Sequence, residues 1–298
     1  MRLQHFYYTS SRKYTELFIA TLAALFALAV LAALDSSVAA QSLPAAPQTT
    51  ATVSTASGVK ALAAVSAASF QSNEIAPESI VAAFGSELST TAQVNDAWPL
   101  PYVLAGTSVK LRDAAGRAHD APLFFVAPEQ VNFFIPPGVA FGEATVTITS
   151  GDGALSQGTL QLVDCAPGLF AMNGNGAGVA AATVLRVRGS AHYFEIMARF
   201  DVEANQWMTL PIAFGPSADR VFLALYGTGI RGRASLSNVT MTIGGASVPV
   251  SYAGAQGSLF GLDQVNVEIP RALAGRGEVE VALTINGKAA NTVKISLN

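Results

Sequence analysis

Cysteine, histidine and charged residues are scarce in this 298-residue chain, which has one cysteine, three histidines and 12% charged residues. A single cysteine, Cys165, excludes an internal disulfide framework and a multi-cysteine zinc site. Its apolar neighbours predict a small buried side chain, with a reactive thiol or an intermolecular link as the alternatives. A net charge of −3 and a pI of about 5.6 argue against a nucleic-acid-binding protein, which usually has a basic face.

The motifs of common enzyme classes are also absent from the sequence, which has no Gly-x-Ser-x-Gly elbow, His-Glu-x-x-His, Cys-x-x-Cys or Walker loop. His119 and His192 have no obvious nucleophile beside them, and a general base needs a positioned partner. The glycine-rich segment 174–178 lacks the lysine and the following helix of a phosphate-binding loop, so it is interpreted as a turn.

Two pairs of carboxylates are spaced two residues apart, Glu278 with Glu280 and Asp201 with Glu203. On a strand, residues i and i+2 point the same way, which predicts a solvated face for the first pair. A calcium site is the alternative, although calcium needs more clustered oxygen ligands. We therefore predict a non-catalytic chain with no catalytic residue, no cofactor and no metal ligand.

What the sequence has instead is an apolar content of 51%, too high for a disordered chain. Basic residues near the N-terminus precede an apolar run at 17–34 and a small-residue stretch at 36–40, which predicts a signal peptide over 1–40, cleaved after Ala40. An uncleaved membrane anchor is the alternative. Both place the rest of the chain outside the cytoplasm, as an extracellular, cell-surface or periplasmic protein. Residues 41–60, rich in Ala, Ser, Thr and Pro, are predicted to be a flexible tether.

Beyond the tether, apolar and polar residues alternate with a period of two, which predicts half-buried antiparallel strands. The clearest runs are at 144–149, 239–243, 279–285 and 293–297, and Gly244-Gly245 and Asn286-Gly287 suit tight hairpin turns.

The chain also repeats itself. The segment 130–136 returns at 264–270, and 142–146 is matched by 277–281; earlier, 81–85 is matched by 223–227. Three matches in the same order predict two copies of one β-sandwich module, each of the size of an immunoglobulin-like domain.

The fold class predicted is therefore all-β, with immunoglobulin-like modules at 61–168 and 219–298. Between them, strands at 178–185, 193–200 and 206–212, with a turn at 201–205, predict a bridging β-meander over 169–218. The predicted signal helix and tether precede the first module.

Several motifs are similar to those of a C-terminal domain family of uncharacterised exported proteins from Solibacter-type soil bacteria. The resemblance spans about 61–298, nearly all of the predicted mature chain, and its motifs are Ala67–Phe70 followed by Ala76–Gly85, Leu104–Val109, Pro122–Val126, Gln130–Asn132 with Ile135–Gly138, Ala166–Phe170, Tyr226–Gly232 and Tyr252–Gly257. The resemblance implies immunoglobulin-like sandwiches distantly similar to the IPT/TIG type, and it implies no activity. Such modules commonly follow a large upstream domain, whereas here we expect them to follow the predicted leader and tether directly, which leaves open whether the protein acts alone or as an accessory.

One difference between the repeats predicts a contact surface. Phe134 stands where the second copy has Glu268, at a position expected to face outward, and an outward phenylalanine needs a partner. That partner is the bridging meander, another protein or a glycan. Phe125, Trp98 and Trp207 are further candidates. We expect a structural or adhesive protein of unknown oligomeric state that contacts an unknown protein or polysaccharide at the cell surface. The alternative is an accessory carbohydrate-binding module of a secreted enzyme. A stand-alone hydrolase is the third hypothesis.

Overall fold

A computed structural model describes residues 58–71 and 74–298. The predicted leader and most of the predicted tether lie outside the described residues, and no helix among those described is long and apolar enough to cross a membrane. The described chain forms short 3-10 helices at Leu236–Asn238 and Arg271–Leu273 and the strands β1 (Val59–Ser66), β2 (Glu74–Ile75), β3 (Ile80–Gly85), β4 (Gln93–Val94), β5 (Val103–Leu104), β6 (Thr107–Arg112), β7 (Ala118–Ala121), β8 (Leu123–Val126), β9 (Gln130–Phe134), β10 (Gly142–Thr149), β11 (Leu155–Leu162), β12 (Gly168–Leu169), β13 (Ala182–Arg188), β14 (Ala191–Glu195), β15 (Ala198–Asp201), β16 (Gln206–Thr209), β17 (Pro211–Ile212), β18 (Arg220–Thr228), β19 (Val239–Ile243), β20 (Ala246–Val248), β21 (Val250–Ala255), β22 (Asp263–Glu268), β23 (Gly277–Ile285), β24 (Lys288–Ala289) and β25 (Val293–Leu297). The prediction of an all-β fold is confirmed.

The first sandwich has one layer ordered β4-β8-β9-β3-β1 and a second ordered β1-β11-β10-β6-β5. Alternating side chains from both layers, among them Val81 and Phe133 on one side and Leu111, Val146 and Leu160 on the other, form one buried core. Each layer therefore covers the apolar face of the other, as the period-two pattern predicted.

Strand β1 belongs to both layers. Its first residues, 59–61, pair in parallel with β11, and residues 62–66 pair antiparallel with β3. Where β1 crosses between layers it runs so close to Gly158 of β11 that a Cβ at that position would overlap the carbonyl oxygen of Leu62. A glycine is therefore needed at the crossing.

The second sandwich repeats this arrangement, with layers ordered β14-β13-β18-β22-β21 and β17-β25-β23-β19-β20. Val179 bridges in parallel to Lys294 of β25 before the chain continues into β13, which pairs antiparallel with β18. The same switch between layers is thus present in both copies.

The segment 169–218, interpreted from the sequence as a bridge, supplies β13, β14 and β17 to this second sandwich. Strand β18 corresponds to β3 of the first copy and, like β3, pairs with a strand on each edge. Strand β22 pairs with one edge of β18, and β13 pairs with the other. The predicted turn after Asp201 is present, between β15 and β16, and these two strands form a separate hairpin. The predicted strand at 193–200 is divided between β14 and β15.

The internal repeat is confirmed in the strand registers. Ala82 pairs with Asn132 in the first copy, and Ala224 pairs with Asn266 in the second. The opposite layer agrees, because Gly142 pairs with Leu162 and Gly277 pairs with Leu297. Even the β-bulge after Leu123 in β8 has a counterpart after Val250 in β21.

Candidate functional site

The glycine-rich segment Tyr226–Gly232, one of the motifs that carried the family resemblance, forms the junction between the two sandwiches. Gly229 has a positive φ of 73°, and its carbonyl oxygen accepts a hydrogen bond from Ala166 N at 3.1 Å. A Cβ at Gly229 would overlap the carbonyl oxygen of Ala166, and one at Gly232 would overlap that of Asp164. The motif therefore allows the two backbones to approach closely.

A buried ion pair holds the end of this segment. The Asp263 carboxylate, which is fully buried, accepts hydrogen bonds from Ile230 N at 2.7 Å and from Arg231 Nε at 2.7 Å. Arg231 also reaches Glu78 of the first sandwich, at 3.3 Å. Burial raises the pKa of Asp263, while Arg231 opposes that shift. The contacts tie residues of both sandwiches into one network.

Phe134 lies at this junction and is only 4% exposed. It is covered by the loop 256–262 between β21 and β22: Phe260 meets its ring edge-on, with centroids 5.6 Å apart, and Gly261 lies against Ile80 beside it. The outward phenylalanine thus has an intramolecular partner, which is a loop of the second sandwich and not the predicted meander.

Phe125 is 2% exposed. The β-bulge at Phe124 shifts the alternation of β8, so that Phe125 lies opposite Asn132 and Val126 opposite Val131. Tertiary packing therefore covers both residues. Phe125 is not part of an exposed contact surface, and Phe134 has an intramolecular partner, which was one of the predicted alternatives.

Trp98, in contrast, is 51% exposed. It comes from the connection between β4 and β5 and stacks on Phe260, which is 48% exposed, with ring centroids 5.4 Å apart and planes 20° apart. We call this pair the aromatic platform. It joins one residue of each sandwich at the surface of the junction, with Phe134 packed against Phe260 from within.

Phe260 was not predicted from the sequence, although a phenylalanine between Ser258 and Gly261 in a loop was a signal for an exposed aromatic residue.

Trp207, the remaining candidate, is half-buried in the β15–β16 hairpin, where its ring meets Phe200 edge-on with centroids 5.5 Å apart. It stabilises that hairpin and is not a member of the platform.

The polar candidates serve local structure. His119 Nε2 lies 3.0 Å from the buried carboxylate of Asp113, which also accepts from the backbone N–H groups of Ala115, Arg117 and Ala140. The hydrogen bond from Ala140, followed by that from His119, holds the pKa of Asp113 well below its usual range, against the effect of burial. In the part of the chain that the structure describes, no group of three or more His, Cys, Asp or Glu residues could hold a metal ion.

The carboxylate pairs are likewise engaged with neighbours. Glu278 accepts from Lys294 Nζ at 2.9 Å, on an exposed strand face as predicted, and Asp201 caps the hairpin turn by accepting from Glu203 N and Ala204 N. Neither arrangement places several oxygen ligands around one point.

Cys165 is buried, and its thiol donates to the carbonyl oxygen of Gly229 at 3.4 Å. Burial, with a smaller contribution from Asp164, raises the pKa of the thiol to about 12. The prediction of a small buried side chain is confirmed.

Sequence reasoning also missed a buried network of charges in the second sandwich. Arg186, 7% exposed, bonds the Glu195 carboxylate at 3.0 Å and Asp219 at 3.4 Å, and Arg188 binds Asp219 through two hydrogen bonds of 2.9 and 2.8 Å. Arg186 also donates to the carbonyl oxygen of Ala213. The network fixes β13, β14 and the loop before β18 relative to one another.

A shallow cleft of about 360 Å³ lies beside this network, and its charged walls include Asp219, Arg220, Glu268 and Arg271. Arg220 pairs with Glu268 at 3.0 Å, and Arg271 donates to backbone oxygens including those of Pro216 and Asp219 at 2.6 and 2.9 Å. These side chains bind one another and the backbone, which makes the cleft a poorer candidate than the aromatic platform.

The chain matches no protein-family model and no curated protein sequence. Among solved structures it is similar to bovine butyrophilin, with 12% identity and a TM-score of 0.22 over 76% of this chain and 94% of that chain.

Proposed function

We propose that this chain is an exported, non-catalytic structural or adhesive protein that contacts a protein or polysaccharide partner at the cell surface through the aromatic platform. The observation that carries the proposal is the stacking of Trp98 on Phe260, each about half exposed. Aromatic side chains supply large contact areas at low cost in conformational entropy, and they are enriched where binding energy concentrates.

The junction gives the platform the rigidity that a binding surface needs. Phe260 rests on Phe134, and Gly261, next in the chain, receives a hydrogen bond from Thr228 Oγ1 at 2.7 Å. Thr228 in turn accepts from Ile80 N of the first sandwich at 2.9 Å. Because the two rings are held before any partner arrives, little ordering is required on binding.

A second candidate is the accessory carbohydrate-binding module. The observation that favours it is that the platform is built from ring faces, with few charged groups in the chain as a whole. Both candidate functions use the aromatic platform. They differ in the partner, which is a protein or polysaccharide of the cell surface for the adhesive protein and a carbohydrate for the accessory module.

The test is a glycan array together with capture of cell-surface proteins, using the full chain and its Trp98→Ala and Phe260→Ala variants. Phe141→Ala is the matched control, because Phe141 is 59% exposed and no aromatic contact joins it to the platform among the described residues. We expect binding that both platform variants reduce at least about tenfold and the control leaves intact. Glycans as the only partners would favour the accessory module. Absence of binding, or equal binding by all variants, would overturn the proposal.

A further inference from the structure

The segments at which the chain enters and leaves each sandwich lie side by side and run in the same direction. In the first sandwich, residues 59–61 of β1 pair in parallel with residues 155–157 of β11. In the second, Val179 bridges in parallel to β25, and residues 211–212 of β17 pair in parallel with residues 296–297. The last strand of each copy therefore has a parallel neighbour as well as an antiparallel one, β10 or β23.

Every residue of β1 takes part in strand pairing. Residues 59–61 pair with β11 and residues 62–66 pair with β3, so no residue is skipped where the strand crosses between layers. Lys60 adds an ion pair with Glu87, which follows β3. The strand can therefore be withdrawn from the sandwich only by breaking its bonds to both layers.

The chain enters the first sandwich at the end that lies away from the junction. β11 ends close to the junction, because Ala166, which follows it, donates a hydrogen bond to the carbonyl oxygen of Gly229 in the second sandwich. β1 runs in the same direction as β11, and its first residue, Val59, pairs with Leu155 at the start of β11. Val59 therefore lies at the opposite end of this sandwich from the junction.

The chain likewise leaves the second sandwich at the end that lies away from the junction. Asn286, in the turn after β23, donates from Nδ2 to the carboxylate of Asp164 in the linker at 3.4 Å, so this turn lies at the junction. Leu297 of β25 pairs with Gly277, the first residue of β23. The full length of β23 therefore separates Leu297 from the junction.

Tension between these two ends loads the parallel pairs in shear. β1 is pulled toward its N-terminus and β11 toward its C-terminus, so the strands are drawn along each other and the evenly spaced bonds between them carry the load together. In an antiparallel pair the same two ends would lie side by side, and the bonds would open one after another. β25 is loaded in the same way when it is pulled toward Asn298 against β17 and Val179.

We propose that the two sandwiches form a load-bearing element, in which the parallel pairs of β1 with β11 and of β17 with β25 resist tension applied between the chain before Val59 and Asn298. An attachment at the cell surface transmits such tension, so the inference deepens the structural or adhesive role and rests on that part of the proposed function. No residue of the aromatic platform belongs to these pairs.

The test is force spectroscopy on single molecules of the full chain, pulled in two directions. One preparation has its attachment points at the N-terminus and after Asn298, and the other has them at the N-terminus and on Leu155→Cys. Leu155 lies opposite Val59, so the second direction pulls β1 and β11 apart from one end. Leu155 is 39% exposed and Cys165 is buried, so only the introduced thiol is coupled.

We expect the first sandwich to unfold at roughly twice the force or more when it is pulled end to end, because three paired residues of β1 and β11 then share the load. The length of chain released, about 3.5 Å for each residue, identifies which sandwich has unfolded. Forced unfolding reports the unfolding barrier and not the equilibrium stability, and both preparations should keep the circular dichroism and melting temperature of the parent. Equal forces in the two directions, or a lower force end to end, would overturn the proposal.

Ala274→Cys gives the matched comparison for the second sandwich. Ala274 is exposed and precedes β23, whose first residue, Gly277, pairs with Leu297. Attachment points at residue 274 and after Asn298 therefore pull β23 and β25 apart from one end, whereas end-to-end pulling loads β25 along its length. The second sandwich should resist the greater force end to end, and the absence of a difference would contradict the role of β25.

Neither measurement needs a partner on the aromatic platform. A chain that resists tension in the predicted direction and binds no glycan or protein would support load bearing and remove the proposed contact at the platform. A chain that binds a partner and shows no dependence on pulling direction would do the reverse, so the two proposals fail separately.

Discussion

Asn132 and Asn266 accept the same hydrogen bond in two copies of one sandwich. Gln130 Nε2 donates to Asn132 Oδ1 at 2.9 Å, and Gln264 Nε2 donates to Asn266 Oδ1 at 2.7 Å. Asn132 is nevertheless buried, whereas Asn266 is partly exposed. The repeat therefore extends to side-chain contacts, and the copies differ in how far the same strand face is covered.

Replacing Gly229 tests the close approach at the junction. Gly229→Ala adds a Cβ that would overlap the carbonyl oxygen of Ala166. We expect it to lose about 1 kcal/mol through its positive φ and a further ~1–3 kcal/mol through overpacking, measured as the free energy of unfolding in urea.

Gly245→Ala is the matched control, because its φ of 77° is similar and a Cβ there meets nothing within 4 Å. It should lose only the ~1 kcal/mol that the positive φ costs. Equal losses at both positions would show that the sandwiches are not closely apposed at Gly229.

Removing Arg186 tests the buried charge network. Arg186→Ala leaves the Glu195 carboxylate without its arginine partner, while Asp219 keeps only its bonds to Arg188. Breaking a buried pair from one side costs about 3 kcal/mol, taken from the lower end of the known range because Glu195 is partly exposed. Thermal and urea unfolding measure this loss.

Lys110→Ala provides the comparison, since Lys110 and Asp120 form an exposed pair with side chains 58% and 63% accessible. Its loss should stay within about 1 kcal/mol. If Arg186→Ala costs no more than Lys110→Ala, the network does not stabilise the second sandwich.

Asp113 should make the first sandwich sensitive to acid. Its pKa in the folded chain is lowered from the ordinary value of 3.8, chiefly by the hydrogen bond from Ala140 N and then by that from His119. A depressed folded pKa contributes stability above pH 3.8, and this contribution is lost as the pH falls toward the folded pKa. Unfolding free energies measured between pH 7 and about 2 should therefore fall steeply at the acid end.

Asp113→Asn cannot titrate, so the variant should be less stable at neutral pH and show a flatter slope below pH 4, measured by the same urea titrations. An unchanged slope would assign the acid sensitivity to other carboxylates.

The Cys165 thiol should resist modification in the folded chain, because it is buried and burial raises its pKa to about 12. A chromogenic disulfide reagent at pH 8 should label it only after denaturant is added. Phe141→Cys should show one additional thiol that reacts without denaturant. Rapid labelling of the unmodified chain would indicate that the junction opens in solution.

The sequence predicted those features that depend on neighbours along the chain. The alternation in 144–149 and 279–285 indicated strands with one buried face, and the repeat of Gln130–Asn132 at 264–266 indicated two copies. Both features can be recognised from the order of residues along the chain, without knowledge of tertiary contacts.

Features that depend on distant parts of the chain could not be predicted in the same way. β13 shares little sequence with β1, so its place beside β18 was not visible, and the burial of Phe134 depends on Phe260, far along the chain. Trp98 was identified as a surface residue, but its stacking partner comes from the other sandwich. The platform therefore exists only in the folded chain.

The most direct test of the proposed function uses the fluorescence of Trp98. The chain has two tryptophans, so Trp207→Phe leaves Trp98 as the sole emitter while an aromatic ring remains to pack on Phe200. On titration with the glycans or surface proteins captured in the binding screen, the account predicts a shift of the emission maximum to shorter wavelength, because a partner seated on the platform would remove Trp98 from water. An emission spectrum that stays unchanged while the partner binds would contradict it.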